Sequence, residues 1–198
     1  MQSFDRTKLI DVAMGRQAPD LYIRNARLVN VLSGEIIPET AVAVIGGHIA
    51  WVGPDLLKPA DHTVVIDAQN RFLAPGLIDG HMHLESSMLT FREFAKAALR
   101  WGTTAVFPDP HEIANVCGTA GVFALIEESK QVPLRSFMLM PSCVPALQGQ
   151  ETSGAVIDAQ TYQQAISHPD IWGMGEMMNY PGVVFNQPDV QQKIQATR

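Results

Sequence analysis

The chain has 198 residues, of which 46% are apolar and 17% charged, a balance typical of a globular protein and not of a disordered one. Its formal net charge of −6 argues against a general nucleic-acid binder. The two cysteines, Cys117 and Cys143, lack a CxxC spacing, so no disulfide framework is expected. Because the N-terminus carries charges and no apolar stretch reaches membrane-span length, we predict a cytoplasmic protein without a signal peptide or membrane contact.

Residues 1–74 predict a helix followed by a small β domain. The helix covers roughly residues 6–14, and short strands are predicted over 21–30, 41–45, 48–52 and 63–66. Gly46 and Gly47 separate two of these strands and predict a hairpin with a two-residue loop, where glycine tolerates positive φ.

Residues 75–198 alternate between strand and helix. Strands are predicted over 76–79, 103–107, 137–140 and 171–175, and helices over 91–100 (capped by Thr90), 119–130, 159–167 and 189–196. Four such alternations predict an α/β fold with a parallel sheet and helical crossovers, but they do not separate an open sheet from a closed barrel. The tryptophans are predicted to anchor the cores: Trp51, Trp101 and Trp172.

Polar residues of the kinds that bind metals follow the predicted strands. They are His81 and His83, Asp109 and His111, Ser142, and Glu176. In a TIM barrel the active site is built at the carboxyl ends of the strands. Four strand–helix units are half of such a barrel and would leave unpaired edges, so we expect the chain to be a fragment of a longer polypeptide.

The strongest local motif runs from Pro75 to His83 and reads Pro-Gly-Leu-Ile-Asp-Gly-His-Met-His. His81 and His83, separated by one residue on an extended strand, point to the same side and can hold one ion through two imidazole nitrogens. Manganese, iron and zinc all accept such ligands. An HxH pair alone is a weak signal, and its position at the start of an alternating pattern strengthens it.

This motif resembles the first-strand motif of the metal-dependent amidohydrolase superfamily, whose members carry a TIM barrel and commonly a small β-sandwich. Four further segments resemble those of adenine deaminases within that superfamily, in the same order. They are residues 83–88, 109–116, 141–146 and 175–182. The resemblance implies the first four units of a TIM barrel over residues 75–198, preceded by part of a β-sandwich over residues 1–74.

The resemblance also implies an activity, the hydrolytic deamination of adenine to hypoxanthine and ammonia by a metal-activated hydroxide. Two divalent ions, manganese or iron with zinc as a further possibility, would be held by His81, His83 and a bridging Glu176. Candidate catalytic residues are Glu85, His111 and Glu112. The superfamily's remaining ligands and its general base follow later strands, so we expect the isolated chain to be inactive and the full-length form to be a homo-oligomer.

Other interpretations stay open at this stage. Glu176 can cap a loop, and Asp109-Pro110 is a common helix start that would give His111 and Glu112 a structural role. Glu85 can simply hydrogen-bond its own loop. The chain can also belong to an amidohydrolase acting on a cyclic amide or an N-acetyl group, or be a non-catalytic truncated remnant.

Overall fold

The computed structural model describes residues 5–197 and divides the chain into two compact units, Met1–Pro75 and Gly76–Arg198. None of the helices in residues 5–197 combines the length and the apolar character that a membrane span requires. Both cysteines are free, as the sequence predicted.

The first unit is a helix and a five-stranded mixed sheet. Its elements are α1 (Arg6–Ala13), β1 (Leu21–Val29), β2 (Ile36–Ile45), β3 (His48–Pro54), β4 (Val64–Asp67) and β5 (Phe72–Leu73). The sheet order is β3-β2-β1-β4, with β5 also paired to β1. β2 is antiparallel to β1 and β3, whereas β4 and β5 run parallel to β1. α1 starts where the Asp5 side chain accepts the Thr7 N–H.

The predicted hairpin is confirmed. Ile45 pairs with His48 across the turn, and both Gly46 and Gly47 have positive φ, at 55° and 75°. The core of the first unit forms where one face of β2 meets the helix and β1. Its buried side chains are Val12, Tyr22, Ala41, Ala43 and Ile45.

The second unit alternates strands and helices as predicted. Its elements are β6 (Leu77–Met82), α2 (Phe91–Arg100), β7 (Thr103–Pro108), α3 (His111–Cys117), α4 (Thr119–Ser129), β8 (Arg135–Ser136), β9 (Met138–Met140), α5 (Ala159–Ile166), β10 (Ile171–Met174), α6 (Tyr180–Val184) and α7 (Pro188–Ala196). A 3-10 turn, Glu85–Ser87, follows β6.

All strand pairs of the second unit are parallel. β6 pairs with β7, β7 with β8, and β9 with β10. Phe137, between β8 and β9, donates its N–H to the Val106 carbonyl at 2.9 Å. Residues 135–140 therefore lie between β7 and β10, and the carboxyl ends of all the strands face one edge, where the predicted site residues stand.

Helices α2 and α4 bury their apolar faces against these strands. The core holds Phe91 and Ala95 of α2, Val122 and Ile126 of α4, and strand residues such as Val106. α2 begins where the Thr90 side chain accepts the Glu93 N–H, as predicted, and ends before Gly102 with φ 91°.

Two of the three predicted tryptophan anchors are wrong. Trp51 packs against the first core, but Trp101 is 80% and Trp172 58% exposed. Trp101 is the C-cap residue of α2, beyond its apolar face. Trp172 lies on β10 in edge-to-face contact with Phe137. Position relative to the core, which composition does not reveal, decides the burial of such side chains.

Candidate metal centre

Two histidines at the end of β6 and one glutamate after β10 converge. The His81 and His83 rings are 5.0 Å apart, centroid to centroid, and meet edge to face. Glu176 Oε1 lies 3.3 Å from His83 Nε2, and Glu176 Oε2 lies 3.8 Å from His81 Nε2. The structure thus brings together all three residues that the sequence predicted as metal ligands.

The spacing of these atoms suits a cation. Two ligand atoms each about 2.1 Å from one ion, at angles of about 90–130°, stand about 3.0–3.8 Å apart. The side chains of His81 and Glu176 are each 42% exposed and that of His83 is 25% exposed, so an ion and a substrate can reach them from one side. Two imidazoles and a carboxylate form a donor set that manganese, iron and zinc accept.

The orientation of His83 is fixed by the backbone of the neighbouring strand. Its Nδ1 lies 2.7 Å from the Asp109 carbonyl oxygen, an acceptor that requires Nδ1 to carry the proton. In the neutral ring Nε2 is then unprotonated, and it faces Glu176. A ligand imidazole that donates its other N–H to a carbonyl or carboxylate is a regular feature of metal sites.

The charges around His83 change its proton affinity. Burial lowers the pKa of its imidazole, but the charge of Glu112, the hydrogen bond to the Asp109 carbonyl, and the charges of Asp109 and Glu176 outweigh burial. The net effect raises the pKa of His83 above its ordinary value, because these groups favour a positive charge. The same negative field attracts a cation.

Asp109 and His111 form a buried layer beneath this exposed group. Asp109 is 0% and His111 4% exposed, and His111 Nδ1 lies 2.7 Å from Asp109 Oδ1. That pair does not have hydrogen-bond angles, so within residues 5–197 neither atom, nor His111 Nε2, has a hydrogen-bond partner. Ligand atoms of Asp109, His111 and Glu176 lie within 4.8 Å of one another, so Glu176 stands between two groups of potential ligands.

The other predicted catalytic residues lie beside the centre. Glu112 Oε2 is 3.4 Å from His83 Nδ1, and Glu112 Oε1 accepts the Ser86 hydroxyl at 2.6 Å. Glu85 Oε1 accepts the Ile113 N–H at 3.0 Å, in the first turn of α3. Burial raises the pKa of the Glu85 carboxyl above its ordinary value, partly opposed by that hydrogen bond. Glu85 therefore holds the start of α3 against the β6 loop.

The loop that carries Glu176 is supported from the preceding strand end. Ser142, which is buried, donates its hydroxyl to the Glu176 carbonyl. Cys143 Sγ lies 3.2 Å from Met177 Sδ and accepts the Asn179 N–H at 3.4 Å. These contacts fix the backbone of the loop, and with it the position from which the Glu176 side chain extends.

The sequence placed Asp109 among the polar residues that follow predicted strands, but assigned it no role in the site. The structure places its backbone carbonyl on His83 and its carboxylate on the Glu176 N–H. Its position directly after β7 was a usable signal, because His83 and Glu176 also stand just after strands.

Comparison with known proteins identifies related sequences and folds. A family model described as "Amidohydrolase family" matches residues 72–198. The chain is 49% identical over 196 residues to "Adenine deaminase 3" of Rhizobium meliloti (strain 1021), covering 96% of this chain and 32% of that protein. It is 46% identical over 190 residues to "Adenine deaminase" of Moorella thermoacetica (strain ATCC 39073 / JCM 9320), with the same two coverages. The chain spans about a third of the length of these curated relatives.

Among solved structures, a crystal structure of an adenine deaminase superposes with a TM-score of 0.63 at 19% identity, over 90% of this chain and 49% of that one. Atrazine chlorohydrolase from Arthrobacter aurescens TC1, complexed with zinc, superposes with a TM-score of 0.54 at 18% identity, over 73% and 41% of the two chains. At such identities the likeness concerns the fold.

Proposed function

Because the chain belongs to the amidohydrolase family, we propose that it supplies the metal-binding first part of an adenine deaminase. The reaction would be the hydrolysis of adenine to hypoxanthine and ammonia. Identities of 46–49% to relatives named adenine deaminase, over nearly the whole chain, favour adenine over other substrates of the family. The observation that carries the proposal is the convergence of His81, His83 and Glu176 at the strand ends.

The proposal includes a more detailed fold. Residues 75–198 would be the first four units of a TIM barrel, and residues 1–74 part of a small β-sandwich. The parallel order of β6, β7, β8/β9 and β10 supports the barrel. β6 and β10 are the outer strands of this order, and further strands would pair with their backbone edges. A cytoplasmic location and a homo-oligomer stay predictions.

The metal-binding part of the proposal assigns roles to three side chains. His81 and His83 would hold one divalent ion through Nε2, and Glu176 would reach both this ion and a second one. Manganese or iron is proposed, and zinc fits the same donors. When bound, such ions lower the pKa of a water toward neutrality, so hydroxide is available at working pH.

Three neighbouring residues remain candidates for catalysis. Glu112 is close to His83 and its side chain is 45% exposed, so it can touch a substrate over the centre and carry a proton. His111 and Glu85 are more buried and would act on the reaction through the residues they contact.

A chimera provides the test of this function. The aligned third of the Rhizobium meliloti relative is replaced by this chain, and ammonia and hypoxanthine are measured after adding adenine and manganese. We expect metal-dependent release of both products, and loss of release when His81 and His83 are changed to alanine in the chimera. A folded, metal-loaded chimera that leaves adenine unchanged would contradict the proposal.

The same chimera separates the alternative activities. Hydrolysis of a cyclic amide or an N-acetyl sugar without ammonia release from adenine would favour another amidohydrolase reaction. A chimera that binds metal but attacks none of these compounds would favour a non-catalytic remnant.

A further inference from the structure

Asp109 contacts three residues of the candidate metal centre through different atoms. Its carboxylate Oδ2 accepts the Glu176 N–H at 2.6 Å, and its Oδ1 lies 2.7 Å from His111 Nδ1. Its backbone carbonyl accepts the Nδ1 proton of His83 at 2.7 Å. One fully buried residue thus contacts side chains or backbone from three separate strand ends.

The backbone of Asp109 is itself fixed to β6. Its N–H donates to the Met82 carbonyl at 2.8 Å, between the two histidines of the HxH motif. The carbonyl that orients His83 is therefore held in register with the strand that carries His83. Any shift of Asp109 relative to β6 would turn the imidazole or break its hydrogen bond.

The carboxylate occupies a space that the sequence leaves open at Gly175. A Cβ atom added at Gly175 would lie 2.3 Å from Asp109 Oδ2 and 2.4 Å from its Cγ. The Gly175 N–H donates to the Met140 carbonyl at 2.8 Å, so the backbone at Gly175 cannot move away from Asp109 without losing this hydrogen bond. Only glycine lets the carboxylate reach the Glu176 N–H, and residues 109 and 175 therefore act as a pair.

We propose that Asp109 is a positioning residue of the metal centre, which sets the directions of Glu176 and His83 without binding the ion that His81, His83 and Glu176 would hold. The inference rests on the proposed function only in requiring that this centre binds divalent cations. The carboxylate is 0% exposed, its Oδ2 accepts the Glu176 N–H, and its Oδ1 faces the buried His111 Nδ1 at 2.7 Å. It is therefore not directed at the open face where His81 and Glu176 are accessible. Outer residues of this kind change metal affinity by about 10- to 100-fold when they are removed.

The test measures Co²⁺ binding by the whole chain, using the visible absorption of the bound ion and competition with a chelator. Asp109→Ala is expected to weaken binding by about 10- to 100-fold. Asp109→Asn keeps an oxygen that can accept the Glu176 N–H and should recover most of the affinity. Gly175→Ala leaves Asp109 in place but fills its space, and should weaken binding to the same extent as Asp109→Ala.

Controls separate positioning from general destabilisation. Ile126→Val removes a buried methyl group from α4 in the same unit and should lower thermal stability without changing Co²⁺ affinity. Because Asp109→Asn and Gly175→Ala keep the site's polar groups, they test the inference even where Asp109→Ala does not fold.

Two outcomes would overturn the inference. One is unchanged Co²⁺ affinity in the Gly175→Ala chain, or in the Asp109→Ala chain where that chain folds. The other is an absorption spectrum in Asp109→Asn that shows the loss of one ligand, which would make Asp109 a ligand. The proposed function is tested separately, by adenine turnover in the chimera. A chimera without turnover would not change the Co²⁺ affinities measured for this inference.

Discussion

The two units of this chain use similar short strands but connect them differently. In the first unit Gly46-Gly47 joins the antiparallel neighbours β2 and β3, so the carboxyl ends of these two strands lie at opposite edges of the sheet. In the second unit helices connect β6 to β7, β7 to β8 and β9 to β10, and all the pairs are parallel. The second unit therefore gathers His83, Asp109 and Glu176 at one edge. Connection type, more than strand composition, creates the site.

The largest expected effect on metal binding comes from removing the histidine pair of the second unit, compared with a histidine pair of the first unit. His81→Ala with His83→Ala removes two of three ligand side chains, so we expect the affinity for Mn²⁺ or Co²⁺ to fall by more than about 100-fold. The matched control, His48→Ala with His62→Ala in the first unit, should leave affinity unchanged. Isothermal titration of both double variants makes the comparison, and equal losses would contradict a site confined to the second unit.

The next effect concerns the core that supports the site. Phe91→Ala empties a fully buried position under β7 and should destabilise the second unit by about 3–5 kcal/mol. Hydrogen exchange followed by mass spectrometry reports each unit separately. Faster exchange confined to residues after 76 is expected, with the amides of β1 and β2 unchanged. Equal acceleration in both units would show that they do not unfold independently.

A smaller effect is expected when only the charge of a ligand changes. Glu176→Gln keeps the size of the side chain and removes its negative charge, so metal affinity should fall about 10- to 100-fold. Glu151→Gln removes the same charge from an exposed loop residue of the second unit and serves as the control. If both variants bind metal equally well, Glu176 is not a ligand.

The smallest expected effect lies in the hairpin of the first unit. Gly47 has a φ of 75° and open space around it, so Gly47→Ala adds backbone strain without a clash and should cost about 1 kcal/mol. Gly47→Asn should cost less, because asparagine tolerates this conformation. Urea unfolding measures both, and a cost for asparagine above that for alanine would contradict the strain argument.

Local patterns predicted most of the elements. The hairpin, the Thr90 cap and the alternation after residue 75 depend on neighbouring residues, and all are present. α6 was missed because Pro181-Gly182 is typical of a turn. The structure shows that the Asn179 side chain caps the Gly182 N–H and that proline stands in the first helical turn, where it is tolerated.

Part of the site could be predicted because the sequence shows which polar residues follow predicted strands, and the carboxyl ends of parallel strands lie together. His81, His83 and Glu176 follow strands, so their convergence could be expected before any distance was known. Asp109 follows a strand too, but Asp109-Pro110 also matches a helix start, and that local interpretation hid its contacts. Its hydrogen bond to Glu176 joins residues 67 positions apart, which no local pattern contains.

The most direct test is a crystal structure of the chain with Mn²⁺, using anomalous scattering to locate the ion. We expect a peak about 2.0–2.2 Å from Nε2 of His81, Nε2 of His83 and one carboxylate oxygen of Glu176. A folded chain with no peak there, or with Glu176 turned away from the two imidazoles, would contradict the account.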